Sequence, residues 1–106
     1  MSQIDEMTAK IVAIQKARDW KQFMSTKNVA IALVAEAGEL AGLYRYDDNP
    51  PQHKVSDEAG DVVYNALLFC QEAGLDVEEI LNNTLAKIER KYPAEQWRGK
   101  NHKYDE

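Results

Sequence analysis

The stretch VAIALVAEAGELAGL, residues 29–43, decides the fold. Its apolar residues Val29, Leu33, Leu40 and Leu43 recur in steps of three and four, the spacing of one face of an α-helix. Glu36 falls on the same stripe, so the helix carries an acid where its packing face should be apolar. Glu39 lies one turn further on the adjoining edge, because residues at i and i+3 share a face. The phrase then returns. EAGE at 36–39 is echoed by EAGD at 58–61, where Glu58 and Asp61 repeat the spacing and Asn65 extends the row beside an apolar stripe of Ala59, Val62, Ala66 and Phe69. A third copy, EAGL at 72–75, lacks the second acid; Gly74 there reads as a helix end and Glu72 as a solvated residue.

Working outward, glycine is sparse within the segments, the prolines fall only at 50, 51 and 93, and Ala, Leu, Glu and Lys dominate. This composition predicts an all-α chain with four helices. The first runs from about Gln3 to Asp19. The second starts near Lys27, with Ser25 or Thr26 as N-cap, and stops near Tyr46. DDNPPQHK, residues 47–54, reads as a loop, and the third helix spans about Val55 to Ala73 with Gly74 at C′. Asp76 is expected to cap the fourth helix, with Glu79 completing a capping box and Pro93 closing it. Short connections imply antiparallel neighbours, hence a four-helix bundle. We expect one domain over residues 1–93 and a basic C-terminal tail over 94–106.

With 106 residues, 44% hydrophobic and 29% charged, the chain has the makings of one soluble globular domain and not of a disordered one. The N-terminus shows neither a signal peptide nor a membrane span, so a cytoplasmic protein is expected. The single cysteine, Cys70, sits in the apolar run ALLFC and reads as a buried, inert thiol. A net charge of −5 argues against binding a nucleic-acid polymer. The sign is uneven, however. Residues 87–103 hold Lys87, Arg90, Lys91, Arg98, Lys100 and Lys103 against only Glu89 and Glu95, a cluster suited either to a small anion or to the dipole of a helix end.

The acidic pairs lack the partners that surface acids usually have. At i±3 and i±4, Glu36 meets Ala32, Leu33, Glu39 and Leu40; Glu39 meets Ala35, Glu36, Gly42 and Leu43; Asp61 meets Asp57, Glu58, Tyr64 and Asn65. Only Glu58 has a helical base within reach, Lys54. Clustered carboxylates without bases repel one another, so a persistent cluster implies a bound cation. Gly38 and Gly60, each costing about 1 kcal/mol relative to alanine inside a helix, suggest close helix approach. An all-oxygen set suits a hard cation, Mg2+ or Mn2+. Zinc, di-iron and EF-hand patterns are missing, as are a phosphate loop, GxSxG and Cys-x-x-Cys. His53 and His102 read as solvated. Trp20 and Phe23 in RDWKQF, with Tyr44 and Tyr46, read as core packing or caps, with a nucleobase platform as the alternative.

Glu36, Glu39, Glu58 and Asp61 together form E-x-x-E on one helix and E-x-x-D on the next, which resembles the MazG-like all-α nucleoside triphosphate pyrophosphohydrolases. RDWKQF, Asn28, ALVAEAGELAGLYRY, DEAGDVV and KYP follow in an order similar to the dCTP pyrophosphatase branch, over roughly Arg18 to Pro93. The resemblance implies a Mg2+-dependent enzyme that cleaves a nucleoside triphosphate, dCTP or a similar one, between its α and β phosphates, in a homodimer or homotetramer. It places the four acids at the metal and the chemistry, with Glu39 as the expected general base, and Trp20, Asn28, Tyr46 and Asn65 at the substrate. The chain departs from the pattern at Tyr46, where relatives often have Trp, at Asn65, where a Tyr occurs, and at Thr84 and Ile88, where a Lys and an Asn contribute. Lys87, Arg90 or Lys91 would then meet the phosphates. The alternatives are a broad-specificity nucleotide pyrophosphatase and a non-catalytic nucleotide-binding interaction protein that keeps the fold.

Overall fold

The computed structural model describes residues 2–102; Lys103 and the last three residues of the expected tail lie outside the described residues. Helices α1 (Gln3–Ala17), α2 (Thr26–Gly42), α3 (Gln52–Ala73), α4 (Val77–Lys91) and α5 (Ala94–Trp97) follow one another, with a 3-10 turn over Lys21–Phe23 between α1 and α2. No strand occurs among the described residues, so the all-α class holds. No helix among them is long and apolar enough to cross a membrane. The chain divides into two compact units, one ending at Leu75 and the other beginning at Asp76.

Each helix boundary has a local cause. Ser2 caps α1 reciprocally: Asp5 N–H donates to Ser2 Oγ at 3.1 Å and Ser2 N–H to Asp5 Oδ2 at 3.3 Å. The helix ends at Ala17, two residues short of the expected Asp19, because Asp19 takes φ 54, a left-handed conformation that aspartate tolerates and a helix does not. Ser25 caps α2, its Oγ accepting Asn28 N–H at 3.1 Å. α2 gives way at Leu43, before the expected Tyr46, where the N–H groups of Leu43, Tyr44 and Arg45 bond three residues back and tighten the chain into a turn.

α3 begins three residues earlier than the loop reading of DDNPPQHK predicts. Pro51 is its N-cap: it has no N–H to leave unpaired, and its carbonyl accepts Lys54 N–H at 3.0 Å and Val55 N–H at 3.2 Å. Gln52, His53 and Lys54 are therefore helical. The other end matches expectation, with Gly74 at φ 70 and Leu75 N–H bonded to Cys70 O at 2.8 Å. α4 starts after Asp76 as expected, but the Asp76 side chain makes no capping hydrogen bond, so the capping box with Glu79 is not formed. Pro93 ends α4 and also caps the short α5, a fifth helix within the expected tail. There the Trp97 ring meets Tyr92 edge-on at 4.9 Å between centroids and His102 at 4.6 Å.

In the first unit α3 packs most extensively against α2 and more lightly against α1. The centre is one side chain from each helix, Ile11, Val29 and Leu68, all nearly inaccessible, ringed by Met24, Tyr64, Leu67 and Phe69. Cys70 is buried and free, as its apolar setting predicts. Val29 heads the predicted stripe of α2 while Leu33, Leu40 and Leu43 lie half-buried along it, so Glu36 is carried inward with them. The interior glycines behave differently from expectation. A Cβ built at Gly38 or Gly60 meets nothing within 4 Å, because the helices approach through the Val29 stripe and leave the glycine faces exposed.

Candidate metal centre

α2 and α3 lie side by side, and the turn spacing within each sets two acids facing the other helix. Glu36, Glu58 and Asp61 each offer one carboxylate oxygen, and these three atoms lie within 4.8 Å of one another. Glu36 and Glu58 are half-buried; Asp61 is exposed, as is Glu39. The Oε2 atoms of Glu36 and Glu58 are buried without any hydrogen-bond partner. An ionised oxygen in that condition is costly unless a positive charge answers it.

The electrostatics have the same origin. Desolvation, first, pushes the Glu36 carboxyl above the usual carboxylate range, helped by its hydrogen bond to Glu39 and by the charges of Glu39, Asp61 and Glu58. Glu58 is raised by desolvation, then by the charges of Glu39, Asp61 and Asp57, then by a hydrogen bond to Glu39. The charges that raise Glu36 and Glu58 are all those of other acids. Three converging carboxylate oxygens, on side chains two of which bury an unpartnered oxygen, fit a divalent cation.

The remaining predicted residues are spread more widely. Asn65 Nδ2 donates to the carbonyl of Asp61 at 2.9 Å, so its amide is committed to its own helix. Trp20 precedes the 3-10 turn with the Arg18 guanidinium 5.6 Å from its ring centre, and Asn28 Nδ2 holds the carbonyl of Phe23 at 3.2 Å. Tyr46, after α2, is 88% exposed under Arg45 at 5.1 Å. With Trp20, Phe23 and Tyr44 also exposed, the core-packing reading of these four aromatics is overturned within the chain. Lys87, Arg90 and Lys91 lie exposed on α4, in the second unit, where Thr84 Oγ1 donates to Ile80 O at 2.9 Å.

Sequence reasoning passed over two features. Asp57 adds to the negative field on Glu58, a position one residue outside the motif. Gln15 is the buried polar side chain of α1, and its Nε2 donates to Tyr64 Oη on α3. Gln15 follows Ile4 and Ile11 on one helical stripe, the same signal that singled out Glu36.

The model of the MazG nucleotide pyrophosphohydrolase domain matches residues 24–95. Among curated proteins, dCTP pyrophosphatase 1 of Homo sapiens is 30% identical over 99 residues, covering 84% of this chain and 58% of that protein. The Mus musculus protein of the same name is 28% identical over 97 residues, covering 82% and 57%. The chain thus spans somewhat over half the length of the relatives it matches. A solved pyrophosphatase structure from Archaeoglobus fulgidus DSM 4304 superposes with a TM-score of 0.77 at 22% identity, covering 88% of this chain and 94% of the other, a likeness of fold. The matched segment holds α2, α3 and α4 with all four acids, and the chain belongs to the MazG nucleotide pyrophosphohydrolase domain family.

Proposed function

We infer that the chain is a cytoplasmic nucleoside triphosphate pyrophosphohydrolase acting on a dCTP-like substrate, releasing the monophosphate and pyrophosphate. The observation that carries this reading is the convergence of Glu36, Glu58 and Asp61 oxygens within 4.8 Å, two of the carboxylates holding a buried oxygen with no partner. In this reading Glu36, Glu58 and Asp61 hold Mg2+, or Mn2+ in its place, with Glu39 completing the set. When bound, the ion offsets negative charge developing on the phosphoryl oxygens.

The chain's own residues supply the rest. Glu39 is exposed beside the cluster and its charge acts on both Glu36 and Glu58, which suits it to take the proton of the attacking water. Water then attacks the α phosphorus, the α-β bridging bond breaks, and pyrophosphate departs. Trp20 and Tyr46 are exposed aromatic residues suited to the base, and Asn28 and Asn65 are assigned to the substrate with them. Lys87, Arg90 and Lys91 are assigned to the phosphates on charge alone.

A homodimer or homotetramer completes the reading. Ile31 and Val34 on α2 and Val63 on α3 are large apolar side chains left exposed, and so are Leu81, Leu85 and Ile88, which form a stripe along α4. The test of activity is a panel of canonical and methylated nucleoside triphosphates incubated with Mg2+ and scored for pyrophosphate. Preference for dCTP is the expected result; release from all bases alike favours the broad-specificity alternative, and release from none favours a nucleotide-binding protein without catalysis.

A further inference from the structure

Gln15 is 95% buried by its 5% exposure, the buried polar residue among those described. It is bonded in two directions. Its side-chain Nε2 donates to Tyr64 Oη on α3, whereas its backbone carbonyl accepts Trp20 N–H at 3.0 Å and Arg18 N–H at 3.3 Å. The second pair of bonds turns the chain out of α1 and fixes where Trp20 begins the 3-10 turn. The first reaches the helix that bears Glu58 and Asp61, at a tyrosine three residues beyond Asp61 and packed against Ile11, Val29 and Leu68.

Gln15 Oε1 remains buried without a partner. Beside it lies a cavity of about 20 Å³ whose lining includes Gln15, Lys16, Lys21, Leu68, Gln71 and Glu72, room for roughly one water. Lys21 ties the same cavity to the turn that follows Trp20. A residue needed only to fill the interface of α1 and α3 would be served by leucine or methionine, without a buried amide to satisfy.

We propose that Gln15 is a positioning residue that sets Trp20 against the acid-bearing helix through Tyr64, so that base and phosphates are held at one spacing. The assignment rests on Trp20 being the base platform and on the α3 acids serving the phosphates. Gln15 touches neither substrate nor ion; it acts through Tyr64 and through the backbone of Trp20.

The test uses Gln15→Met, Tyr64→Phe and the double variant. With dCTP and Mg2+, each single change should raise the nucleotide KM about three- to tenfold and leave kcat within about twofold, the scale of one lost hydrogen bond. The double variant should add little to either, since both remove the same bond. A second readout needs no activity. In a Trp97→Phe background Trp20 is the sole tryptophan, and the amplitude of its local motion in time-resolved fluorescence anisotropy should rise about twofold in both variants while helicity is retained. Unchanged KM, or a fall in kcat and melting temperature with KM constant, would reduce Gln15 to a packing residue. If the parent chain releases no pyrophosphate, the enzymatic reading fails by itself, and the anisotropy decides: unchanged Trp20 motion overturns the assignment. Tyr64→Phe keeps the ring in the core, so the proposal stays decidable even if Gln15→Met does not fold.

Discussion

Glu36 on α2 and Glu58 on α3 each bury an Oε2 with no hydrogen-bond partner, and desolvation together with the surrounding acids raises both carboxyls above the usual carboxylate range. Two helices thus bring together acids that ought to repel. The arrangement is stable to the extent that protons or a cation occupy it, and its consequences can be measured separately.

A cation bound by the folded chain and not by the unfolded one stabilises by mass action, about 2.7 kcal/mol at a hundred times its Kd. Millimolar Mg2+ or Mn2+ should therefore raise the melting temperature by several degrees. Glu36→Gln combined with Asp61→Asn removes the charge of two of the three converging carboxylates and should abolish the rise. A shift of unchanged size in that variant places the ion elsewhere.

The same carboxyls make the metal-free chain sensitive to pH. Both are raised in the folded state, so between the ordinary carboxylate range and their raised values the native chain binds more protons than the unfolded one. Unfolding free energy contributed by these groups must then fall as pH climbs through that window, and be retained below it. Urea titrations from about pH 5 to pH 7.5 in a chelator should show the decline, and Glu58→Gln should flatten it. Stability that rises over this interval in the parent and not in Glu58→Gln contradicts the assignment.

The acid site was legible because helical periodicity makes a misplaced residue conspicuous: Glu36 sits among Val29, Leu33 and Leu40, and its i±3 and i±4 neighbours can be read directly. Gln15 raises the same signal after Ile11 but carries no charge, and the absent partner that made the glutamates stand out has no counterpart for an amide. Pro51 concealed the true start of α3, since two consecutive prolines suit a loop as well as a helix N-terminus. At Asp76 the residue type fitted a cap, yet the hydrogen bond did not form, because composition does not fix a side-chain rotamer. Gly38 and Gly60 were read as close contacts, a matter of tertiary placement that local sequence does not encode.

Trp20 exposes 43% of its surface, so its removal should cost little folding stability. If the ring is a base platform, Trp20→Ala should raise the nucleotide KM about tenfold, the value of one lost stacking contact, while the melting temperature changes by only a few degrees. Unfolding of the variant would instead return Trp20 to the core. By contrast, Leu68→Ala, at 3% exposure, should destabilise by about 2–5 kcal/mol in denaturant titration.

The exposed side chains Ile31, Val34 and Val63 predict self-association. Sedimentation should give a species at least twice the 12.1 kDa of the chain, and Val34→Lys should shift it towards the monomer. A purely monomeric parent at micromolar concentration contradicts the oligomeric reading and leaves the acid cluster untouched.

The most direct test of the central claim is hydrolysis of dCTP in 18O-labelled water with Mg2+, followed by mass analysis of both products. The account predicts label in the monophosphate, from attack at the α phosphorus, and loss of turnover by at least about a hundredfold in Glu58→Gln, in line with removal of a group that acts on developing charge. Label in the pyrophosphate, or full turnover in the variant, would contradict it.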